Sequence, residues 1–176
     1  MAVIKRYLFL IISIIALGIL FLINREMGLK ALEVTGYSLK EMVLIIPPIF
    51  ILLGLLDVWV PRETMTRFMG EGSGIKGIAL AILLGSAAAG PLYGAFPVAA
   101  VFMKKGVKFS NVLIFLGAWS TTKIPMFLFE MASLGVRFAV TRLVIDIPGI
   151  ILIGFILSKI VSKETVKEIY ANAEKF

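Results

Sequence analysis

GPLYGAFP, residues 90–97, lies at the centre of an apolar run, residues 78–103, that carries no charged side chain. A helix of about 20 residues crosses the hydrocarbon core of a bilayer, so this run is long enough to span it. Its two glycines and two prolines, however, would leave backbone groups without helical partners. Hydrocarbon tolerates such groups only where protein or a water-filled cavity satisfies them. The stretch therefore predicts a helix that is broken near mid-membrane, beside a site.

The composition of the whole chain is that of an integral membrane protein. Hydrophobic residues make up 60% of the 176 residues, charged residues 16%, and the mean hydropathy is +1.02. The chain contains neither cysteine nor histidine, which excludes disulfides, thiolate chemistry and the common zinc sites. We therefore expect no metal, no cofactor and no enzymatic activity. The net charge of +7 indicates contact with lipid head groups rather than nucleic acid, because no basic soluble face is apparent.

Clusters of charge divide the chain into about five predicted transmembrane helices in a single domain, residues 1–176. The predicted spans are 7–23, 42–60, 78–103, 110–134 and 138–158, followed by an amphipathic tail, 159–176. The first could instead be a secretory signal, but ILFLI follows its small residues, which favours an uncleaved span. The expected fold class is all-α, with the third and fourth helices broken near mid-membrane.

The fourth span repeats the design of the third, because STTKIP, residues 120–125, lies at its midpoint. Transporters build midplane sites from such interrupted helices, whose half-helix ends present free backbone groups. A proline kink supported by neighbouring helices is the structural alternative. Pro97 and Pro125 suit the first turn of a half-helix, and Tyr93 is the nearby aromatic residue whose hydroxyl would need a partner. The predicted pathway residues are Gly90, Pro91, Tyr93, Gly94, Pro97, Ser120, Thr121, Thr122, Lys123, Pro125 and Glu130.

Apart from Asp57, near the end of the second span, four charged residues lie inside the predicted spans, where each costs about 2.5–3.5 kcal/mol unless it is paired or hydrated. Arg142 and Asp146 are four residues apart and are expected to form a structural ion pair. Lys123 and Glu130 share a helix face, but an intact helix would hold them about 10.5 Å apart along its axis. They would then need water, a partner subunit or a break to meet. Glu130 is either a proton-coupling group or a residue that reaches the membrane interface.

Three segments of the sequence resemble one known family. GPLYGAFPVAAVFMKKG (90–106), FLGAWSTTKIPMFLFEMASLG (115–135) and RFMGEGSGIKG (67–77), together with Arg142, look like the YraQ-like predicted permeases, relatives of the organoarsenical efflux permease. The resemblance implies a membrane permease or transporter of a small substrate. Typical relatives are about twice as long and contain two related halves. The chain thus resembles a half-length member that would work as a homodimer or pair with a second half-permease.

One departure from the family affects the substrate. Arsenic-handling relatives carry cysteines at the first break, where this chain has GPLYGAFP and no thiol. Trivalent arsenic seeks thiolates, so arsenic transport is not implied and the substrate stays unknown. A non-transporting scaffold or an accessory subunit of a larger transporter is the alternative function.

The basic residues give a weak indication of orientation. With five straight spans they divide about seven to ten between the two faces, which favours a cytoplasmic C-terminus in the cell membrane. Such a weak bias permits either a parallel or an inverted pair of subunits.

Overall fold

The computed structural model describes residues 2–88 and 90–174 of the chain, and every regular element in these residues is helical. The all-α membrane fold predicted from composition is therefore confirmed. The helices are α1 Ala2–Ile23, α2 Arg25–Trp59, α3 Arg62–Met69, α4 Gly74–Ala87, α5 Ala95–Lys104, α6 Phe109–Thr121, α7 Ile124–Leu134, α8 Val136–Ile160 and α9 Lys163–Ala173, with one 3₁₀ turn at Leu92–Gly94. Two compact units divide the chain, Met1–Pro47 and Pro48–Phe176.

The first unit holds α1 and the beginning of α2. Asn24 separates the two helices, and its side-chain Oδ1 accepts a hydrogen bond from the backbone N–H of Met27 at 3.1 Å. This bond caps the first turn of α2. The helix α2 then runs for 35 residues through Pro47 and Pro48, where the sequence predicts a separate polar stretch before a span that starts at residue 42. The boundary between the two units falls at these prolines.

Two stretches of the described residues have the length and hydropathy of a membrane span, Phe109–Leu134 and Val136–Ile160. A third would be added if α3 and α4, which meet at an angle of 110°, were one span. Residues Tyr7–Ile23 and Leu92–Lys104 form shorter apolar helices. The count of five spans therefore stays a prediction.

Helix α6 is the centre of the second unit and packs against α4, α5 and α8. Its buried side chains include Val112, Phe115 and Trp119. On the α4 side, Gly85 permits a close approach, since a Cβ at this position would lie 2.6 Å from the carbonyl oxygen of Phe115 and 2.7 Å from Cβ of Ala118. Small residues allow membrane helices to pack this closely.

The start of α4 and the end of α5 both lie beside the start of α6. The backbone N–H of Lys108, just after α5, donates to the carbonyl of Met69 at the end of α3, at 2.9 Å. Asn111 Nδ2, in the first turn of α6, donates to the same carbonyl at 2.8 Å. Lys108 Nζ also forms a salt bridge of 2.9 Å with Glu71 in the turn before α4. The chain therefore leaves this end along α4 and comes back to it along α5.

The sequence predicts that residues 78–103 run through the membrane as one broken helix. The break is present between Ala87 and the 3₁₀ turn at Leu92, but the two arms form a hairpin and are not collinear. The backbone conformation explains the reversal. Gly90 has φ of 101°, a left-handed conformation that favours glycine, and Pro91 follows with extended backbone angles. The predicted position of the break is thus confirmed. The prediction that the chain continues in the same direction after the break is corrected, because the chain turns back there.

Helix α8 runs antiparallel to α6 and α7. Gly135, with φ of 89°, makes the turn between α7 and α8. Two close contacts fix the packing of α8 on α6: a Cβ at Gly117 would lie 2.8 Å from Cγ2 of Ile150, and one at Gly154 would lie 2.7 Å from Cγ1 of Ile114. The end of α8 thus lies near the start of α6, at the same end as α3.

Helix α9 lies within the predicted tail, of which residues 175 and 176 are outside the described residues. The hydroxyl of Tyr170 donates to the carbonyl of Val107 at 2.5 Å, and the rings of Tyr170 and Phe109 are 6.4 Å apart. These contacts hold α9 against the turn between α5 and α6.

Substituting Gly85 by alanine is expected to lower the free energy of unfolding by about 1–3 kcal/mol, the usual cost of overpacking. The new methyl group would meet backbone atoms of α6, which cannot move aside as a side chain can. Gly149→Ala in α8 is the matched control, because nothing lies within 4 Å of a Cβ built at position 149. Unfolding in detergent micelles measures both, and equal stability of the two variants would show that α4 and α6 are less closely packed.

Burial, with a smaller contribution from Glu71, raises the pKa of Tyr170 to about 12 from its ordinary 10. The folded protein therefore binds this proton more tightly than the unfolded chain does. The resulting stabilisation is complete below about pH 10 and is lost as the pH rises from 10 to 12. In a spectrophotometric tyrosinate titration we expect Tyr170→Phe to remove a component near pH 12, a component absent from the unfolded chain. Loss of a component near pH 10 instead would contradict the burial of this hydroxyl.

Candidate functional site

The two predicted breaks lie against each other in the second unit. The ammonium of Lys123, at the break between α6 and α7, donates to the carbonyl of Gly90 at 2.8 Å. The indole N–H of Trp119 donates to the next carbonyl, that of Pro91, at 3.2 Å. Carbonyls at an unwound helix end have no partner within the helix, and in a membrane the protein must supply one. Trp119 and Lys123 supply these partners to the tip of the hairpin, that is, to the carbonyls of Gly90 and Pro91.

Hydroxyl groups link the C-terminal ends of α4 and α6. The hydroxyl oxygens of Ser86 and Thr122 are 2.7 Å apart, and Thr122 donates its own proton to the carbonyl of Ala118 at 3.1 Å. Ser86 is therefore the donor of the shared bond. Thr121 donates to the carbonyl of Gly117 at 2.9 Å. The predicted hydroxyls thus support the backbone around the break, while Ser120 is exposed.

A charged network lies beside the break and is centred on the guanidinium of Arg142. One of its nitrogens pairs with a carboxylate oxygen of Glu130, Nη2 donates to the carbonyl of Thr121 at 2.8 Å, and Nε lies 3.3 Å from Oδ2 of Asp146. Glu130 is only 7% exposed. The ion pair expected between Arg142 and Asp146 is present. Glu130 is its third member and is not a partner of Lys123.

A small cavity separates this network from the α6–α7 break. Its lining comes from α6, α7 and α8 and consists of Thr121, Thr122, Phe127, Glu130, Ala139, Arg142, Leu143 and Asp146. With a volume of about 10 Å³ it holds about one water molecule. The polar groups around it would give such a water several partners. The cavity is too small for an organic solute in this conformation.

The two prolines that were predicted to lie in the first turn of a half-helix do lie there. Pro125 lies in the first turn of α7, and Pro97 lies in the first turn of α5. Neither position requires a backbone N–H for an intrahelical bond. Gly94 lies close to Ile49, whose Cδ1 would be 2.6 Å from a Cβ at this position. The site therefore combines two helix C-terminal ends with two helix N-terminal ends.

Two residues of this arrangement were not among the predicted site residues. Trp119 is 5% exposed and binds the hairpin tip. Tyr93, the aromatic residue that was predicted to line the pathway, is 39% exposed. Ser86 lies in GSAAAG, a segment that resembles ordinary packing sequence. The feature of the sequence that could have indicated Ser86 is a hydroxyl group within an apolar stretch, since the second break, STTKIP, also carries hydroxyl groups.

No group of three or more His, Cys, Asp or Glu side chains capable of holding a metal ion occurs among residues 2–88 and 90–174. The groups the site offers to a ligand are backbone carbonyls, hydroxyls, one ammonium and the Arg142 network. Groups of these kinds can bind and orient a polar solute through hydrogen bonds and charge.

The family model of predicted permeases matches residues 28–175, most of the chain. The chain belongs to this permease family. The match includes both breaks and the Arg142 network, and it extends well beyond the stretch, residues 67–142, on which the resemblance rests. No curated protein and no solved structure matches the chain. Membership of the permease family supports a membrane transport protein rather than an enzyme.

Proposed function

We propose that this member of the permease family moves a small polar solute through the membrane at the place where the α4–α5 hairpin meets the α6–α7 break. The observation that carries the proposal is the 2.8 Å hydrogen bond from Lys123 to the carbonyl of Gly90. It joins the two interrupted helices through a charged side chain, beside the bonds of Trp119 to Pro91 and of Ser86 to Thr122. Interrupted helices with convergent half-helix ends are the usual construction of a transporter site.

Lys123 and Arg142 have different roles in this proposal. Arg142 is held by two carboxylates and a carbonyl, so its guanidinium is fixed. Among the described residues, the ammonium of Lys123 has the Gly90 carbonyl as its partner and sits on a flexible four-carbon chain. A solute that offers both an acceptor to Lys123 and a donor to the carbonyl of Gly90 replaces that bond without leaving either group unpaired. In this proposal the hydrogen bond of Lys123 is exchanged when a solute binds, and the Arg142 network keeps its position.

The present conformation is closed, since the cavity beside the break holds about one water. Opening requires the hairpin tip to separate from α6. The tip is held by the side-chain bonds of Lys123 and Trp119, whereas the base of α4 is packed closely through Gly77, where a Cβ would lie 2.5 Å from Nδ2 of Asn111. We infer that the tip moves and the base stays in place.

A second half completes the pathway in this proposal. The family resemblance implies two related halves, and this chain supplies one of them. Two copies of the chain, or this chain and a second half-permease, would place two hairpins around a shared axis. Native mass measurement in mild detergent tests the pairing: we expect a dimer, and a monomer that is active in transport would contradict it.

Flux into proteoliposomes tests the function. The purified chain is screened against a panel of small solutes detected by mass spectrometry, and any solute that moves is then tested with Lys123→Met. We expect the variant to reduce flux to the level of empty vesicles, because methionine cannot donate to Gly90 or to a solute. Lys159→Met is the matched control, since Lys159 is exposed in the last turn of α8.

Unchanged flux in the Lys123→Met variant would place the pathway elsewhere. If the folded parent moves no solute of the panel, alone or paired, the result supports the accessory-subunit alternative.

A further inference from the structure

Basic side chains gather at one end of the second unit. The contacts of Lys108 with Glu71 and of Tyr170 with Val107 bring the start of α4, the end of α5 and helix α9 to this end. Its basic residues are Arg62, Arg67, Lys76, Lys104, Lys105, Lys108, Lys159, Lys163 and Lys167. At the opposite end, the turn between α7 and α8 carries Arg137 alone among the described residues. The basic residues counted at the two ends are therefore divided nine to one.

The hairpin is the reason for this asymmetry. If residues 78–103 crossed the membrane, Lys76 and Lys104 would lie on opposite faces and the basic residues would be nearly balanced. Because α5 returns to the end from which α4 starts, both lysines lie on one face. Membrane proteins carry their excess of Lys and Arg on the cytoplasmic side.

We propose that this end faces the cytoplasm and lies against the anionic head groups of the inner leaflet, and that the α4–α5 hairpin enters the membrane from this side and returns to it. Helix α3 meets α4 at 110°, so it crosses the end of the unit. It buries Met65 and Met69 and leaves Arg62 and Arg67 exposed. This is the arrangement of a helix that lies in the interface, with its basic side chains toward lipid phosphates.

Single cysteines test the orientation, because the chain contains none of its own. Thr64→Cys, before the hairpin, and Lys104→Cys, after it, are both at exposed positions, as are Ala171→Cys in α9 and Ser133→Cys at the end of α7. Each variant is labelled with a membrane-impermeant maleimide in intact cells and in inverted vesicles, relative to complete labelling after denaturation.

We expect the variants at positions 64, 104 and 171 to be labelled in inverted vesicles and protected in intact cells, with the reverse for position 133. Opposite accessibility of positions 64 and 104 would show that the segment crosses the membrane and would overturn the hairpin. Labelling of all three in intact cells, with position 133 protected, would overturn the cytoplasmic orientation.

Lipid quenching tests the contact with anionic head groups. The chain has two tryptophans; Trp119 is 5% exposed and Trp59, beside Arg62 in the sequence, is 73% exposed. Quenching by brominated phosphatidylglycerol relative to brominated phosphatidylcholine therefore reports on lipid near Trp59. We expect Arg62→Gln to lower the relative association constant for phosphatidylglycerol about fivefold, while Arg137→Gln leaves it unchanged. An Arg62→Gln variant identical to the parent would overturn the lipid contact.

Discussion

Replacing Arg142 by methionine is expected to lower the free energy of unfolding by about 3–5 kcal/mol, the cost of breaking a buried ion pair by removing one partner. The substitution leaves the carboxylate of Glu130, which is 7% exposed, without a cation. It also removes the donor to the Thr121 carbonyl at the break. Detergent unfolding, followed by tryptophan fluorescence, measures the loss.

Glu130→Gln is the matched comparison for this substitution. Glutamine keeps a side-chain oxygen that accepts a hydrogen bond from Arg142, and Asp146 remains to balance the guanidinium. We expect a smaller loss than for Arg142→Met. The triple variant Arg142→Met with Glu130→Met and Asp146→Met should recover most of the stability, because apolar replacement of a whole ion network is close to neutral. Equal losses in all three variants would show that the network does not act as a unit.

Replacing Gly90 by leucine is expected to abolish transport while the protein still inserts and folds. The φ of 101° at Gly90 is costly for any residue with a Cβ, by about 1–2 kcal/mol. The same substitution would displace the carbonyl that Lys123 binds. Flux of whichever solute the parent moves is the measurement.

Gly135→Leu is the control that separates strain from position. Gly135 has φ of 89°, close to that of Gly90, and nothing lies within 4 Å of a Cβ there. Both variants should lose similar stability, but only Gly90→Leu should lose flux. Loss of flux in both would mean that overall stability, and not the hairpin tip, limits transport.

The positions of the two breaks follow directly from the sequence. Residues 90–97 and 120–125 mark the interruptions, although proline alone does not end a helix here, since α2 continues through Pro47 and Pro48 and α8 through Pro148. The same local chemistry predicts the pairing of Arg142 with Asp146, one helical turn apart. These features depend only on neighbours in the chain.

The direction of the hairpin does not follow from hydropathy, because a 26-residue apolar run fits either one crossing or two half-length arms. The deciding contacts join distant residues, the carbonyl of Met69 with Lys108 and Asn111. Asn111 was a usable signal, since a polar side chain in an apolar segment needs a partner. It is 2% exposed and finds that partner in the carbonyl of Met69, at the end of α3.

The sequence left the partners of Lys123 and Glu130 open for a related reason. Helical spacing places them on one face of an unbroken span, but the break puts Lys123 just before the first residue of α7 and turns it toward the hairpin tip. Glu130 then pairs with Arg142 across the Gly135 turn. A helical hairpin centred on Gly135 brings these two residues together, which the sequence spacing could have indicated.

The depth of the hairpin has an electrical consequence. Helix α5, with ten residues, is about 15 Å long, half of the roughly 30 Å of hydrocarbon. In the proposed orientation, with the hairpin entering from one face, its tip and the ammonium of Lys123 lie within the electric field across the membrane. A potential of 100 mV changes the energy of a unit charge that crosses the whole membrane by about 2.3 kcal/mol, and that of a charge part of the way across by a part of this. We therefore expect the hydrogen bond between Lys123 and Gly90 to depend on membrane voltage.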